Sequence, residues 1–254
     1  MPPEDRLRAE FAAAIEGAPA GLATADRICV ACVDLLRVEG AALSLMHDGA
    51  TFGTFGSSSE LSRRLDEFQF TFGEGPCLDA VRHGRPILVA NLQDPAEQRW
   101  PTYAGAVLDE GVHAVYALPV SISSAYVGVL DLFRADPIAL DGADLTGGLF
   151  AASLATAPLR DLISSVMLEP GPIGADEEVW AKSATLERVE VYQATGMVMD
   201  QLGVTAAEAL VRLRARAFAR AMTASELAWQ IVRRQYRLDA DPDTNDRGSG
   251  LERG

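Results

Sequence analysis

The pattern of apolar and polar positions changes character near residue 168. Before that point helical and alternating patterns interleave. In "TADRICVACVDLLRVEG" apolar side chains fall at 28, 29, 32, 33, 35 and 36, the spacing of one helix face, with Thr24 placed to cap its start and Gly40 near its end. "AALSLMHDGATFGTFGS" reads as two strands around His47–Ala50, where the Asp48-Gly49 pair favours a hairpin turn. Phe68, Phe70 and Phe72 alternate as one strand face. Gly73–Pro76 then turn the chain, and Pro76 or Cys77 opens a helix carrying Leu78 and Val81. "PILVANL", residues 86–92, is a short buried strand, and "HAVYALPVSISSAYVGVLDLFR" gives two more around Ser123–Ala125. "LTGGLFAASLATAPLRDLI" is a helix rich in small residues. Together these predict an α+β domain, an antiparallel sheet flanked by helices.

The break itself is "LEPGPIGADEE", where two prolines and two glycines end one pattern before another begins. Everything after it has a helical period. Residues 177–202 read as one long helix that Gly203 stops, since glycine takes the left-handed conformation cheaply. "TAAE" at 205–208 and "TASE" at 223–226 have the spacing of capping boxes, and Met222 with Leu227 that of a hydrophobic staple. Leu210, Leu213 and Ala217 line the helix after the first box; Leu227, Ala228, Ile231 and Val232 line the one after the second. The predicted organisation is a mixed domain at 1–168, a linker at 169–176, a three-helix domain at 177–238, and a disordered acidic tail at 239–254.

Charge narrows the partners. The 254 residues carry a formal net charge of −14, which argues against broad nucleic-acid binding driven by phosphate neutralisation. Residues 175–238 are the exception, with nine basic against eight acidic side chains, so a local basic face is open to them. Residues 1–10 are acidic and polar rather than signal-like, and the chargeless stretch Gly111–Leu130 alternates as strands, so no membrane span is expected. Three cysteines without a secretory context fit reduced thiols, and a cytoplasmic location.

With those patterns in place, two resemblances emerge. "RVEVYQATGMVMDQLGVTAAEALVRLRARAFARAMTASELAWQIV", 188–232, closely resembles the ANTAR domain, an RNA-binding module of bacterial transcription antiterminators. The family pattern falls on Ala194, Gly196, Met197, Met199, Gly203, Ala209, Leu213-Arg214 and Ala217. Thr195 stands where the family often has a lysine. The segments "FTFGEGPCLDAVRHGRPILV", "RWPTYAGAVLDEGVHAVYALPV" and "VGVLDLFR" resemble a GAF domain, a small-molecule-sensing and dimerisation fold, in the manner of actinobacterial GAF–ANTAR proteins. The resemblance implies a sensor joined to a module that binds paired RNA hairpins in leader transcripts, so that a terminator does not form. It also implies a homodimer, and a GAF unit with its own small-molecule ligand or partner.

Residue by residue, the RNA-binding candidates are Ala194, Thr195, Gly196, Arg212, Arg214, Arg216 and Arg220. Glycine inside a helix costs roughly 1 kcal/mol relative to alanine, so Gly196 needs either close helix packing or close approach of a ligand backbone. Arg212 and Arg216 share a face, as do Arg216 and Arg220. Such a face either is simply solvated or grips phosphates and stacks on splayed bases. Tyr192 and Trp229 read as core. Phe70, Phe72, Tyr116 and Phe133 are pocket-lining candidates in the GAF unit, or plain core. Cys77, at a helix start where thiol pKa values fall, is a redox candidate.

The remaining chemistry is thin. Cys29 and Cys32 form a C-x-x-C in mid-helix without a second pair, and the three histidines are scattered, so neither metal nor cofactor is expected. No nucleophile elbow or phosphate loop occurs; "TGG" at 146–148 is too short to be one. The expectation is a regulator and not an enzyme. The alternative is a ligand- or redox-sensing protein that acts through protein partners without RNA.

Overall fold

The computed structural model describes residues 3–19, 21–47, 50–140, 142–168 and 188–238. The linker at 169–176, residues 177–187 of the predicted long helix, the Asp48-Gly49 turn and the acidic tail lie outside them; the reading of 177–202 as one helix is corrected at Arg188, whose φ of 47° is not helical, and the described helix starts at Val189. The chain divides into two compact units, Met1–Arg188 and Val189–Gly254.

In the first unit the helices are α1 (Pro3–Ile15), α2 (Leu22–Leu35), α3 (Glu60–Phe72), α4 (Pro76–His83), α5 (Pro101–Asp109), α6 (Gly142–Leu154) and α7 (Thr156–Leu168). The strands are β1 (Gly40–His47), β2 (Ala50–Ser57), β3 (Ile87–Val89), β4 (Ala114–Ile122) and β5 (Ala125–Arg134). They form one antiparallel sheet in the order β2-β1-β5-β4-β3, with β5 central. Strand side chains alternate between faces, so the central strands feed two separate cores. Leu43, Tyr116, Leu118, Leu130 and Leu132 pack with α2, α6 and α7 on one face. Ala42, Val115, Ala117, Val129 and Phe133 pack with α3, α4 and α5 on the other. The Gly147-Gly148 pair is a packing notch: a Cβ at Gly148 would lie 2.7 Å from Leu118 Cδ1 on the sheet.

Two local expectations are corrected here. Phe68, Phe70 and Phe72 belong to helix α3, not to a strand. Leu65, Phe68 and Phe72 recur at i, i+3 and i+7, and the Phe68 and Phe72 rings stack with centroids 5.5 Å apart. A three-residue alternation was too short a window. Ser59 caps the start of α3, its hydroxyl accepting from the Ser62 N–H at 3.1 Å, and Gly73 ends it at φ 68°. Likewise α2 starts at Leu22 after Gly21 rather than at a Thr24 cap; the Thr24 hydroxyl donates backward to the Pro19 carbonyl. That helix ends at Leu35, and Gly40 begins β1.

The second unit holds α8 (Val189–Leu202), α9 (Ala206–Ala219) and α10 (Ala224–Val232). Val191, Ala194, Val198, Ala209, Leu213, Ala217, Leu227, Ala228 and Ile231 form its core, each essentially inaccessible. Small residues at the crossings let the helices approach closely. Both helix starts are capped as the spacing predicts, Thr205 accepting from Glu208 and Thr223 from Glu226. The reciprocal bond from the glutamate side chain is present at Thr223, completing a capping box. Glu208 instead pairs with Arg212 at 2.8 Å.

Candidate functional site

In the first unit the polar residues gather on the sheet face covered by α3, α4 and α5. Ser44 on β1, Thr54 on β2 and Asp131 on β5 point into an otherwise apolar layer, and α3 adds Asp66 and Gln69. Asp66, Gln69, Asp131 and Cys77 are all 0% exposed. A carboxylate in such surroundings must be satisfied by hydrogen bonds or a countercharge. Asp66 is held on both oxygens, by the Ser44 hydroxyl on Oδ1 and the Thr54 hydroxyl on Oδ2, the latter at 2.5 Å. Gln69 bridges the remainder: its Nε2 donates to Asp131 Oδ2 at 2.6 Å and its Oε1 accepts from the Cys77 N–H at 2.8 Å.

The sequence "FGEGPC" is the device that makes this bridge. Gly75 sits at φ 147°, where side chains strain the backbone, and a Cβ there would lie 2.7 Å from Gln69 Cγ. Glu74 reaches the other way: its Oε1 accepts from the N–H groups of Thr102 and Tyr103, at 2.7 and 2.9 Å, capping α5. That cap anchors Tyr103, which is fully buried in the same core as Cys77.

Burial sets the electrostatics. It pushes the Asp131 carboxyl well above the carboxylate range, helped by the neighbouring charge of Asp66 and opposed by the Gln69 hydrogen bond. The Cys77 thiol moves up as well, through burial first and then the two aspartates. This is the reverse of the lowered pKa expected at a helix start, so the redox candidate is corrected: desolvation outweighs the helix end. Cys29 and Cys32 are buried in the opposite core with raised pKa values, as small hydrophobes are.

The four pocket candidates do not line one cavity. Tyr116 lies on the α2/α6 face, across the sheet from Phe133, whereas Phe72 of α3 packs in the same core as Phe133; Phe70 is also on α3. Sequence spacing shows alternation but not which face each strand turns toward. A surface pocket of about 270 Å³ does exist, lined by Gly73, Glu74, Gly75, Leu78, Asp79, Arg82, Arg99 and Trp100.

The helical unit reverses this arrangement, with its chemistry outside. Ala194 is fully buried and Thr195 nearly so, the Thr195 hydroxyl donating to the Val191 carbonyl at 2.7 Å. Neither can touch RNA in this structure, and a lysine's missing charge at 195 is not a gap in an exposed face. Gly196 is exposed, and a Cβ there would meet nothing within 4 Å. Packing therefore does not explain it among the described residues. Tyr192 and Met199 flank it at i−4 and i+3 on the same face, and Tyr192 is 63% exposed.

Trp229, read from the sequence as core, is 49% exposed, and Arg233 lies over its ring at 5.0 Å. Arg220 covers Tyr236 in the same way at 4.7 Å. The chain returns for this second pair because Arg234 adopts φ 59° and the N–H groups of Gln235 and Tyr236 donate to the Gln230 carbonyl. Both contacts are cation–π pairs that leave a surface for further stacking. Arg212, Arg214 and Arg216 are half-buried along α9, Arg212 engaged with Glu208. Arg233 and Tyr236 escaped the sequence reading because they lie beyond the last periodic helix. Spacing of aromatic and arginine, W-x₃-R, was the signal available.

The chain's similarities agree with this division. A GAF domain family model matches residues 23–157, more than half the chain, and an ANTAR domain model matches residues 181–232. Comparison with curated proteins finds no match. Among solved structures, the GAF domain of a phosphoenolpyruvate-protein phosphotransferase from Coxiella burnetii is similar at 15% identity, covering 65% of this chain and 96% of that one, with a TM-score of 0.51. The corresponding domain from Acinetobacter is similar at 11% identity over 65% and 97%, with a TM-score of 0.50. At these identities the likeness concerns the fold. GAF domains are sensory and ANTAR domains are RNA-binding modules of antitermination regulators. The chain belongs to the GAF domain family and carries an ANTAR domain behind its GAF unit.

Proposed function

We propose that this protein is a transcription antitermination regulator whose helical unit binds paired RNA hairpins and whose GAF unit senses a small molecule or a partner. The observation that carries the RNA reading is Gly196, a mid-helix glycine on open surface between exposed Tyr192 and Met199. A side-chain-free spot admits a nucleic-acid backbone or an unstacked base, and the ANTAR match covers this stretch. Trp229 with Arg233 and Tyr236 with Arg220 supply stacking surfaces that already carry a positive charge. Half-buried arginines on α9 supply phosphate contacts.

Two hairpins call for two helical units, so the active species in this reading is a homodimer, and sensing shifts the population between dimers that do and do not present both surfaces. The protein acts by binding and not by turnover. The test is binding of the full chain to a tandem-hairpin leader RNA against a scrambled RNA of equal length at moderate salt. The expected result is a clear preference for the hairpins, lost in Trp229→Ala. Equal affinity for both RNAs overturns the reading.

A further inference from the structure

The buried cluster of the GAF unit contains more ligand chemistry than its own hydrogen bonds use. One oxygen of Asp66, one of Asp131 and Sγ of Cys77 all lie within 4.8 Å of one another. The three come from α3, β5 and α4, elements separated in sequence, and Gln69 of α3 joins Asp131 to the Cys77 backbone. Among the described residues two polar atoms of this core are completely enclosed without a hydrogen-bond partner: Oδ1 of Asp131, in the cluster itself, and the hydroxyl of Tyr103, which packs in the same apolar layer as Cys77. Buried polar atoms in folded proteins are rarely left unpaired, and these two require an explanation.

We propose that this centre binds one divalent transition-metal ion, with Asp66, Cys77 and Asp131 as ligands. A dication offsets the two buried carboxylates, whose closeness is otherwise unfavourable. The donor set selects the class of ion. Two carboxylate oxygens and one thiolate suit a borderline cation such as Zn²⁺ or Fe²⁺ better than Mg²⁺ or Ca²⁺, which take all-oxygen shells, or Cu⁺, which prefers soft sulfur ligands. Binding releases to solvent the thiol proton of Cys77 and any proton that burial holds on the Asp131 carboxyl, and forms metal–sulfur and metal–oxygen bonds; no electron is transferred. The supporting shell is already built. Ser44 and Thr54 fix Asp66, and Gln69 fixes both Asp131 and the backbone of Cys77. Gly75 and Leu78, on either side of Pro76-Cys77, line the surface pocket.

The site is independent of RNA binding, and its test needs no RNA. Untagged full-length protein, stripped with chelator under reducing, oxygen-free conditions, is titrated with Co²⁺ and then with Zn²⁺. The expected result is uptake of one Co²⁺ per chain with a near-ultraviolet thiolate-to-cobalt absorption band, bleached by Zn²⁺. Cys77→Ser removes the band, and Asp131→Asn weakens Co²⁺ binding by more than about 100-fold, beyond the loss usual for a residue that only supports a ligand. A Cys29→Ser/Cys32→Ser variant keeps both band and stoichiometry, because those thiols lie across the sheet. Should the cluster variants not fold, the parent protein decides: Zn²⁺ raises its Tm and chelator lowers it. Absence of stoichiometric uptake and of any Zn²⁺ effect on Tm overturns the proposal. A cobalt band that survives in folded Cys77→Ser overturns it too.

Discussion

The two units handle polar and aromatic side chains in opposite ways. The GAF unit encloses two aspartates, a glutamine and a cysteine in the middle of an apolar layer, and its large aromatics Tyr103, Tyr116, Phe55 and Phe133 are fully buried. The helical unit has a core of alanines, leucines and valines, and turns Tyr192, Phe218 and Trp229 outward. Each arrangement is costly by the usual rule, since buried polar atoms lose water and exposed aromatics gain it. The difference teaches where each unit keeps its chemistry. The first encloses its polar groups in a closed centre, and the second presents its aromatics on an open surface.

The sharpest way to break this contrast is to unfold one unit without touching the other's chemistry. Leu213 is fully buried in the helical core, so Leu213→Ala is expected to cost about 2–5 kcal/mol of that unit's stability, read by denaturant unfolding. RNA binding should fall with it, while metal uptake by the GAF unit stays; loss of both would show that the two units are not separate. Next comes Trp229→Ala. A stacked base is worth about 1–3 kcal/mol, whereas a half-exposed side chain contributes within about 0.5 kcal/mol to folding. RNA affinity should drop with Tm almost unchanged, and a large drop in Tm would return Trp229 to the core.

Gly75→Ala probes the closed centre. At φ 147° and against Gln69 it is expected to cost about 1–3 kcal/mol of GAF stability by thermal unfolding and to leave hairpin affinity intact. The smallest expected effect is the most discriminating. Gly196→Ala adds a Cβ into open space on a helix and should raise stability by up to about 1 kcal/mol. If RNA approaches there, affinity falls as stability rises. Both rising together would remove Gly196 from the interface.

Much of the architecture was legible in the chain itself. The two hairpins and the short strand of the first unit and the capped helices of the second follow from periodicity and end signals, which are local. The strand reading of Phe68–Phe72 failed because three alternate apolar residues also fit one side of a helix once Leu65 is counted. Site residues were less legible. Gly196 was singled out correctly as needing an explanation, since a helix interior disfavours glycine, but its neighbours Ala194 and Thr195 turn inward by 100° steps that spacing alone does not orient.

What the sequence by itself determined, then, is the hairpins, the two-part organisation and the caps at Thr205 and Thr223, because each depends on neighbours within a few residues. Only the tertiary structure decided that Asp66, Gln69, Cys77 and Asp131 share one enclosed centre. They lie on α3, α4 and β5, and no spacing rule links positions whose meeting depends on which sheet face each helix covers. The same holds for Arg220 over Tyr236, joined by a chain reversal at Arg234. Local preference fixes segments, whereas the convergence of distant side chains is settled by how burial packs those segments together.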